Sequence, residues 1–586
     1  MMREEAYLKE AYQSDIKRCK KIIAPLTAVE HRLGQFDAIN EWQDQKEASA
    51  KFLNTRAYKK FTQDDYIVLI GRTGTGKTAI LRKIQYEIEN QLNSELNYKY
   101  VISIDFKPYL VELIKLKEIN NTTSSLYDLA QNIEMLLNLE VMRKIYSDTD
   151  FEKRNCPSSE NIKKYLNSKK INSKSNVLSQ IISEMKTIYE GTTVGKAVST
   201  LSVLNNLRAK YVTSEYDNIM SDIYSFLSDQ RLLILIDSMD RYNIREPEVV
   251  LITQTLVEVA FKSYFNNVKN KNILVKIALP AELSTLFIYR LPEKQQQNSV
   301  TIEWKYRELI NMIAIRWFYY CKYKSDNPLL CKLTNDTSLE KFYDNYSLSK
   351  NFLLKILPEK CLTSTSYVFN TLAYCIKHTQ KKPRQLMKIF NVFIDKIIEN
   401  NNKNYFFDYP ERISYCIHTT QSDIISDTVN MYNDLANARI LEICSDILYK
   451  KNFLITKNDL MKSIKSVINN PNYKIDQDFN MDAEKCFEIL KESGMIGKIY
   501  SERYIDKNNS YFENDRIIRI IVSLFEYQVK EKLVFDNSDF CVLHPMCYEY
   551  FENSIDFNTL VYPYPVGDDE DLGDIPTYLK DYLMAN

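Results

Sequence analysis

Up to about residue 304 the chain alternates unbroken apolar runs with stretches of helical period. Ile67–Ile70, Tyr100–Asp105, the run Leu232–Ile236, residues 272–279 and residues 299–304 read as strands. Apolar runs without a polar face suit strands covered on both sides of a parallel sheet. Between them Ala79–Leu92 reads as a helix, with Ile80, Leu81, Ile84 and Ile88 on one stripe. Strands separated by helices predict βαβ units, with the site at the strand C-termini. Residues 120–230 read as helix and loop, an insertion into this core.

Ahead of the core, residues 1–60 read as polar helix with short apolar stripes. Phe52 and Tyr58 stand close before the first strand and are expected to pack, with stacking on a nucleotide base as the alternative. From 305 to about 400 the pattern is helical: Glu308–Tyr319 is amphipathic, and Pro383 opens a helix whose first turn carries Arg384. In 401–586 a helix Ala483–Ser493 closed by Gly494 precedes a strand Met495–Tyr500, a polar turn, a helix Ile517–Tyr527 and a strand Phe540–Pro545, an order that suits a winged helix. The divisions expected are an N-terminal segment 1–60, a core 61–304, a helical lid 305–400 and a C-terminal region 401–586.

Composition narrows the partners. Seventy-seven basic residues balance 77 acidic ones, so no global field draws the chain to nucleic acid or anionic lipid. The basic run Lys163–Lys170 reads as a solvated face. Eleven scattered cysteines with no C-x-x-C pair fit reduced thiols in a cytoplasmic protein. Cys541, His544 and Cys547 suit core positions, with a metal site as the lesser alternative. No apolar run is long enough for a membrane span.

The candidate chemistry is concentrated in Gly71-Arg-Thr-Gly-Thr-Gly-Lys-Thr78. Glycines at Gly71, Gly74 and Gly76 let successive backbone N–H groups, with Thr73, Thr75 and Ala79, curl round a phosphate. Lys77 reaches the outer phosphates and Thr78 offers a hydroxyl to Mg²⁺, so ATP with Mg²⁺ is the expected ligand. Asp237, at the end of the Leu232–Ile236 run, is the expected acid that supports Mg²⁺. The expected fold is an α/β P-loop NTPase core of the additional-strand type, followed by a helical lid and an α+β winged-helix region.

The phosphate loop, the segment Leu232–Asp240 and the Pro383-Arg384 helix together resemble bacterial predicted P-loop ATPases near the AAA+ and STAND groups. The stretch 377–386 is similar to their sensor 2 helix, which implies that Arg384 contacts the γ-phosphate, and Leu524–Tyr527 with Val542–Pro545 is similar to their winged-helix ending. The resemblance implies a regulatory ATPase, often encoded beside anti-phage systems, with a homo-oligomer and a separate effector as partners. Two positions depart from that pattern. Ser238 stands where a second acid is common, so Asp240 is the candidate base, and Ala278–Glu282 lacks the usual polar sensor. Arg290 and Arg316 are candidates for an arginine supplied between protomers. Three functions stay open: an ATP-driven switch, a DNA-handling ATPase, and a scaffold that binds nucleotide without turnover. The acidic face of Asp482–Ser493 weighs against DNA, while Lys450, Lys451, Lys457, Lys462 and Lys465 keep it open.

Overall fold

The computed structural model describes residues 33–35, 37–115, 123–147, 157–171, 177–191, 200–237, 247–266, 272–284, 293–325, 328–335, 337–357, 360–362, 368–399, 412–429, 432–433, 439–470, 481–505, 518–528, 532–553 and 559–563. The chain divides into two compact units, one formed by Asn54–Glu303 and the other by Met1–Leu53 together with Trp304–Asn586. Two helices of the flanking unit, α1 (Ala38–Glu41) and α2 (Gln45–Ala50), precede the core unit in the chain.

The core unit opens with α3 (Arg56–Phe61), β1 (Val68–Gly71), α4 (Lys77–Glu89), β2 (Tyr100–Asp105) and α5 (Lys107–Lys115). Its 120–230 region contains α6 (Thr123–Tyr146), α7 (Pro157–Ser168), α8 (Val177–Gly191), α9 (Thr200–Tyr211) and α10 (Ser214–Phe226). Then come β3 (Leu232–Asp237), α11 (Pro247–Asn266), β4 (Ile273–Pro280), α12 (Ala281–Ser284), α13 (Glu293–Gln297) and β5 (Ser299–Thr301). The five strands lie in the order β2-β3-β4-β1-β5, and every pairing is parallel. Leu232–Ile236 and Ile273–Leu279 are buried throughout, as strands covered on both faces require.

The α4 stripe is as its period predicts: Ile80, Leu81, Ile84 and Ile88 are all buried. The helix ends at Glu89, short of Leu92, because Gln91 takes a left-handed φ of 53°. The Leu92 N–H then returns to the Glu87 carbonyl at 2.9 Å and satisfies an end carbonyl. In the helical block α6 packs on α9 and α11. Within the block the Tyr165 hydroxyl donates to the Tyr211 carbonyl at 2.5 Å and the Tyr211 hydroxyl donates to Glu184 at 2.9 Å, while Glu134 of α6 pairs with Lys262 of α11 at 2.5 Å. Lys163 and Lys164 point to solvent on α7, a solvated charged face.

An ionisable side chain sits inside the central strand. Lys276, on β4, is fully buried, and its Nζ donates to the carbonyls of Phe61 at 2.5 Å and Gln63 at 2.6 Å. It thereby closes the C-terminus of α3, where outward carbonyls favour a donor.

The flanking unit continues with α14 (Tyr306–Tyr319), α15 (Pro328–Leu333), α16 (Tyr346–Ile356), the β6 (Lys360–Leu362) and β7 (Val368–Asn370) hairpin, α17 (Thr371–Lys377), α18 (Pro383–Glu399) and α19 (Arg412–Val429). It closes with α20 (Ile440–Leu448), β8 (Leu454–Thr456), α21 (Lys457–Ile468), α22 (Ala483–Glu492), β9 (Ile496–Ile505), β10 (Ile518–Phe525), β11 (Phe540–Leu543) and β12 (Thr559–Pro563). One apolar cluster runs through it, from Leu33 and Leu53 past Trp317 and Phe390 to Tyr562. Gly494 closes α22 as expected, with φ of 75° and the Met495 N–H returned to the Leu490 carbonyl at 3.1 Å.

The helix expected over Ile517–Tyr527 is instead β10, a strand between β9 and β12 in the order β12-β10-β9-β11-β8. The β-branched run Ile518, Ile520, Ile521 and Val522 suits a strand with neighbours on both edges, and this overrides its helical spacing. Gly497 allows the close approach, since a Cβ there would stand 2.6 Å from the Leu524 carbonyl oxygen.

Burial pushes the Lys276 amine down to about 7, so the folded core holds it neutral where the unfolded chain binds a proton. Stability must rise with pH between about 7 and the unfolded value of about 10.5. The expected outcome is that wild type loses stability as pH falls through this window and that the difference from Lys276→Met shrinks or reverses there, measured by urea unfolding across pH.

Candidate functional site

The turn from β1 into α4 builds the site. Gly74 and Gly76 hold left-handed φ of 84° and 101°, which lets the chain reverse between β1 and α4, and the Thr75 N–H between them returns to the Arg72 carbonyl at 3.2 Å. The Thr75 hydroxyl ties the turn by donating to the Arg72 carbonyl at 2.7 Å. A Cβ at Gly71 would stand 2.5 Å from that hydroxyl oxygen, which explains glycine there. A Cβ at Gly76 would meet nothing within 4 Å, so its φ and not a lack of room calls for glycine there. Gly76 is also the residue before α4, and no side chain caps that helix, whose N-terminus favours an anion.

The Lys77 amine lies inside the turn. Its Nζ donates to the Gly71 carbonyl at 2.8 Å and the Arg72 carbonyl at 3.3 Å, and the residue is buried. Thr78 and Ala79 follow in the first turn of α4, and Thr73 lies half-buried in the loop between Arg72 and Gly74. The sequence and the structure therefore bring Gly71 through Ala79 together in one cradle.

Asp237 ends β3, two strands from β1, with β4 between them. It lies in register with Asp105 at the end of β2, an acid that the sequence reading passed over. The Asp105 carboxylate accepts from the Lys107 N–H at 3.1 Å, so it also works as a local cap. Carboxylate and hydroxyl oxygens of the Asp237 and Thr78 kind suit Mg²⁺, a hard cation. Ser238, Asp240 and Arg290 lie outside the described residues.

The other candidates belong to the flanking unit. Arg384 is half-buried in the first turn of α18, directly after Pro383. The preceding stretch is fixed by Gln380, whose N–H donates to Gln385 Oε1 at 2.7 Å and whose side chain donates to the Ser493 carbonyl at 2.5 Å. Arg316 is not placed as an arginine for a neighbouring protomer. Its guanidinium is committed at 2.6 Å to both the Leu33 carbonyl and Glu41 Oε1, with a second bond to Glu41 at 3.1 Å. Burial pushes the Glu41 carboxyl up, but Arg316 and Lys51 outweigh it and hold the carboxyl below its ordinary range.

The remaining polar motifs are used for packing. Tyr58 is buried and donates its hydroxyl to Glu87 of α4, and burial with that carboxylate pushes the phenol far up. Phe52 meets Trp42 edge-on in the flanking unit. His544 is buried, with Nδ1 accepting from the Met546 N–H at 3.0 Å and Nε2 2.9 Å from the Tyr527 hydroxyl. Both ring nitrogens are thus engaged within the protein, and Cys541 and Cys547 are core residues.

Beyond β4, where the sequence lacks the usual polar sensor, Glu282 lies 2.9 Å from Arg72 Nε of the loop. The pair joins residues 210 apart. No local pattern announces it, because it arises only when the sheet sets β4 beside β1.

The sequence model of one family, described as the KAP family P-loop domain, matches residues 45–269. The matched span contains the loop, β1, β2, β3 and the helical block, and covers less than half of the chain. No curated protein matches the sequence. Geometry and match agree on a P-loop NTPase domain with an α/β core. No helix among the described residues is long and apolar enough to cross a membrane.

Gly76→Ala places a Cβ on a residue with φ of 101°. The expected cost to folding is about 1–2 kcal/mol of backbone strain, with a larger loss in nucleotide affinity. Titration with a fluorescent ATP analogue beside a melting curve separates the two effects.

Proposed function

We propose that the chain is an ATP-binding and ATP-hydrolysing switch. The observation that carries this reading is the glycine cradle around Lys77, set at the C-terminal end of a parallel sheet that also delivers Asp237. In this reading Lys77 leaves the Gly71 and Arg72 carbonyls for the β- and γ-phosphates. Thr78 and Asp237 would hold Mg²⁺, which would neutralise charge on the phosphate oxygens. Asp240 takes the proton of the attacking water, in place of the acid that Ser238 replaces.

In this reading, as the resemblance to a sensor 2 helix implies, Arg384 contacts the γ-phosphate and passes the nucleotide state to the flanking unit. The closed state then recruits a second copy of the chain and a separate effector, and ATP favours that state through the γ-phosphate contact. A setting in bacterial anti-phage defence follows from the resemblance to regulatory ATPases alone.

A winged-helix reading of the C-terminal region draws support from the order β8-β11-β9 preceded by α20, β8, α21 and α22. As a DNA reader it is poorly charged. The face of α22 carries Asp482, Glu484, Glu488 and Glu492, while Lys491 is held by Glu488 at 2.8 Å and by the Leu533 carbonyl at 3.2 Å. Lys457 donates to the Phe535 carbonyl and Lys462 pairs with Asp459. A protein-facing role for this region fits those commitments better.

The test is phosphate release and solution mass with and without ATP for wild type, Lys77→Ala, Asp237→Asn and Asp240→Asn. Lys77→Ala is expected to lose binding and both responses. Asp237→Asn and Asp240→Asn are expected to keep ATP while turnover falls about a hundredfold or more, the scale seen when one group serving the transition state is removed. ATP-induced assembly with no turnover in wild type would leave the scaffold reading, and full activity in Asp240→Asn would reject that residue as the base.

A further inference from the structure

We propose that Arg72 and Glu282 form a nucleotide-responsive latch, in which the terminal phosphate of a bound nucleoside triphosphate takes Arg72 away from Glu282. The proposal rests on the reading of the loop as a triphosphate site. It adds a residue pair that discriminates triphosphate from diphosphate.

The placement of Arg72 starts from its own backbone. Its carbonyl accepts from the Thr75 hydroxyl at 2.7 Å and from Lys77 Nζ at 3.3 Å. The backbone of Arg72 thus belongs to the cradle, and its side chain is placed by Glu282, which follows β4 at the C-terminal end of the sheet where Pro280 pairs with Gly71. There the guanidinium pairs with Glu282 at 2.9 Å, both side chains being largely withdrawn from water, at 14% and 8% exposure. Withdrawn from water, neither charge is readily satisfied by solvent, so exchange of one anionic partner for another is favoured over simple release.

A γ-phosphate is a suitable second partner. It carries more charge than a carboxylate and matches the planar fork of arginine bidentately. Glu282 is also well placed to report the exchange. It stands two residues past Pro280, which pairs with Gly71 in the β1–β4 register, and it lies in α12. Breaking the pair removes one tie between α12 and the loop. ATP and the free arrangement then favour each other, by equal factors in both directions.

The test uses the full chain with Mg²⁺ and measures the affinities of fluorescent ATP and ADP analogues for wild type, Arg72→Gln, Glu282→Gln and the double variant. Glu282→Gln removes the competitor, so ATP analogue binding should tighten about tenfold, within the usual range of such couplings, while ADP analogue binding stays nearly constant. Arg72→Gln should weaken the ATP analogue by about the same factor and leave the ADP analogue alone, and the double variant should behave as Arg72→Gln. Should Glu282→Gln fail to fold, Glu282→Asp should give the same ordering at smaller size. Equal shifts for both nucleotides, or weaker ATP binding in Glu282→Gln, would make the pair a plain structural tie and overturn the latch. A wild type that binds neither analogue, indistinguishable from Lys77→Ala, would instead overturn the triphosphate site itself and the latch with it.

Discussion

The left-handed turn at Gly74 and Gly76 is the constraint on which the rest of the core depends. A strand buried on both faces must pass into a helix within a few residues, and residues with side chains resist the φ angles needed. Because the turn is made by glycine, α4 starts with no capping side chain, which leaves its N-terminus to an anion. The Lys77 amine folds back onto the carbonyls of Gly71 and Arg72, which holds a cation where phosphate charge would arrive. The anion-binding character of the site is thus a property of chain direction and of one amine.

The sheet sets the second condition. With β4 inserted between β1 and β3, the loop and Asp237 emerge on one edge while a strand of different chemistry lies between them. That intervening strand contributes twice. At one end Glu282 reaches Arg72. Within the strand Lys276 reaches the carbonyls after α3. A buried lysine is a costly residue for a central strand, and burial moves it toward neutrality while two carbonyls accept its protons. The segment that leads into β1 is therefore tied to β4 by hydrogen bonds as well as by packing.

Much of this was legible from residues alone, and the reasons differ by element. Strands β1, β3 and β4 are unbroken apolar runs, and the loop has a spacing that few other structures require. The α4 stripe was legible from its period, but its end was not, because Gln91 adopts a conformation usually left to glycine or asparagine. The run at 518–525 carried both helical spacing and β-branched residues, and pairing with two neighbouring strands decided between them. Arg316 looked available as a charge in a helix, and its commitment to Glu41 is a contact across 275 residues that no local pattern encodes. The Arg72–Glu282 pair and the Lys276 bonds were hidden for the same reason.

The central claim is that the N–H groups of the turn hold phosphate. Amide hydrogen exchange of the full chain, followed at residues 74–79 with and without Mg²⁺ and a non-hydrolysable ATP analogue, tests it most directly. The account predicts that exchange over Gly74–Ala79 slows when the analogue is added and that Lys77→Ala abolishes most of this protection. Unchanged exchange in that segment at saturating analogue, with protection elsewhere in the chain, would contradict it.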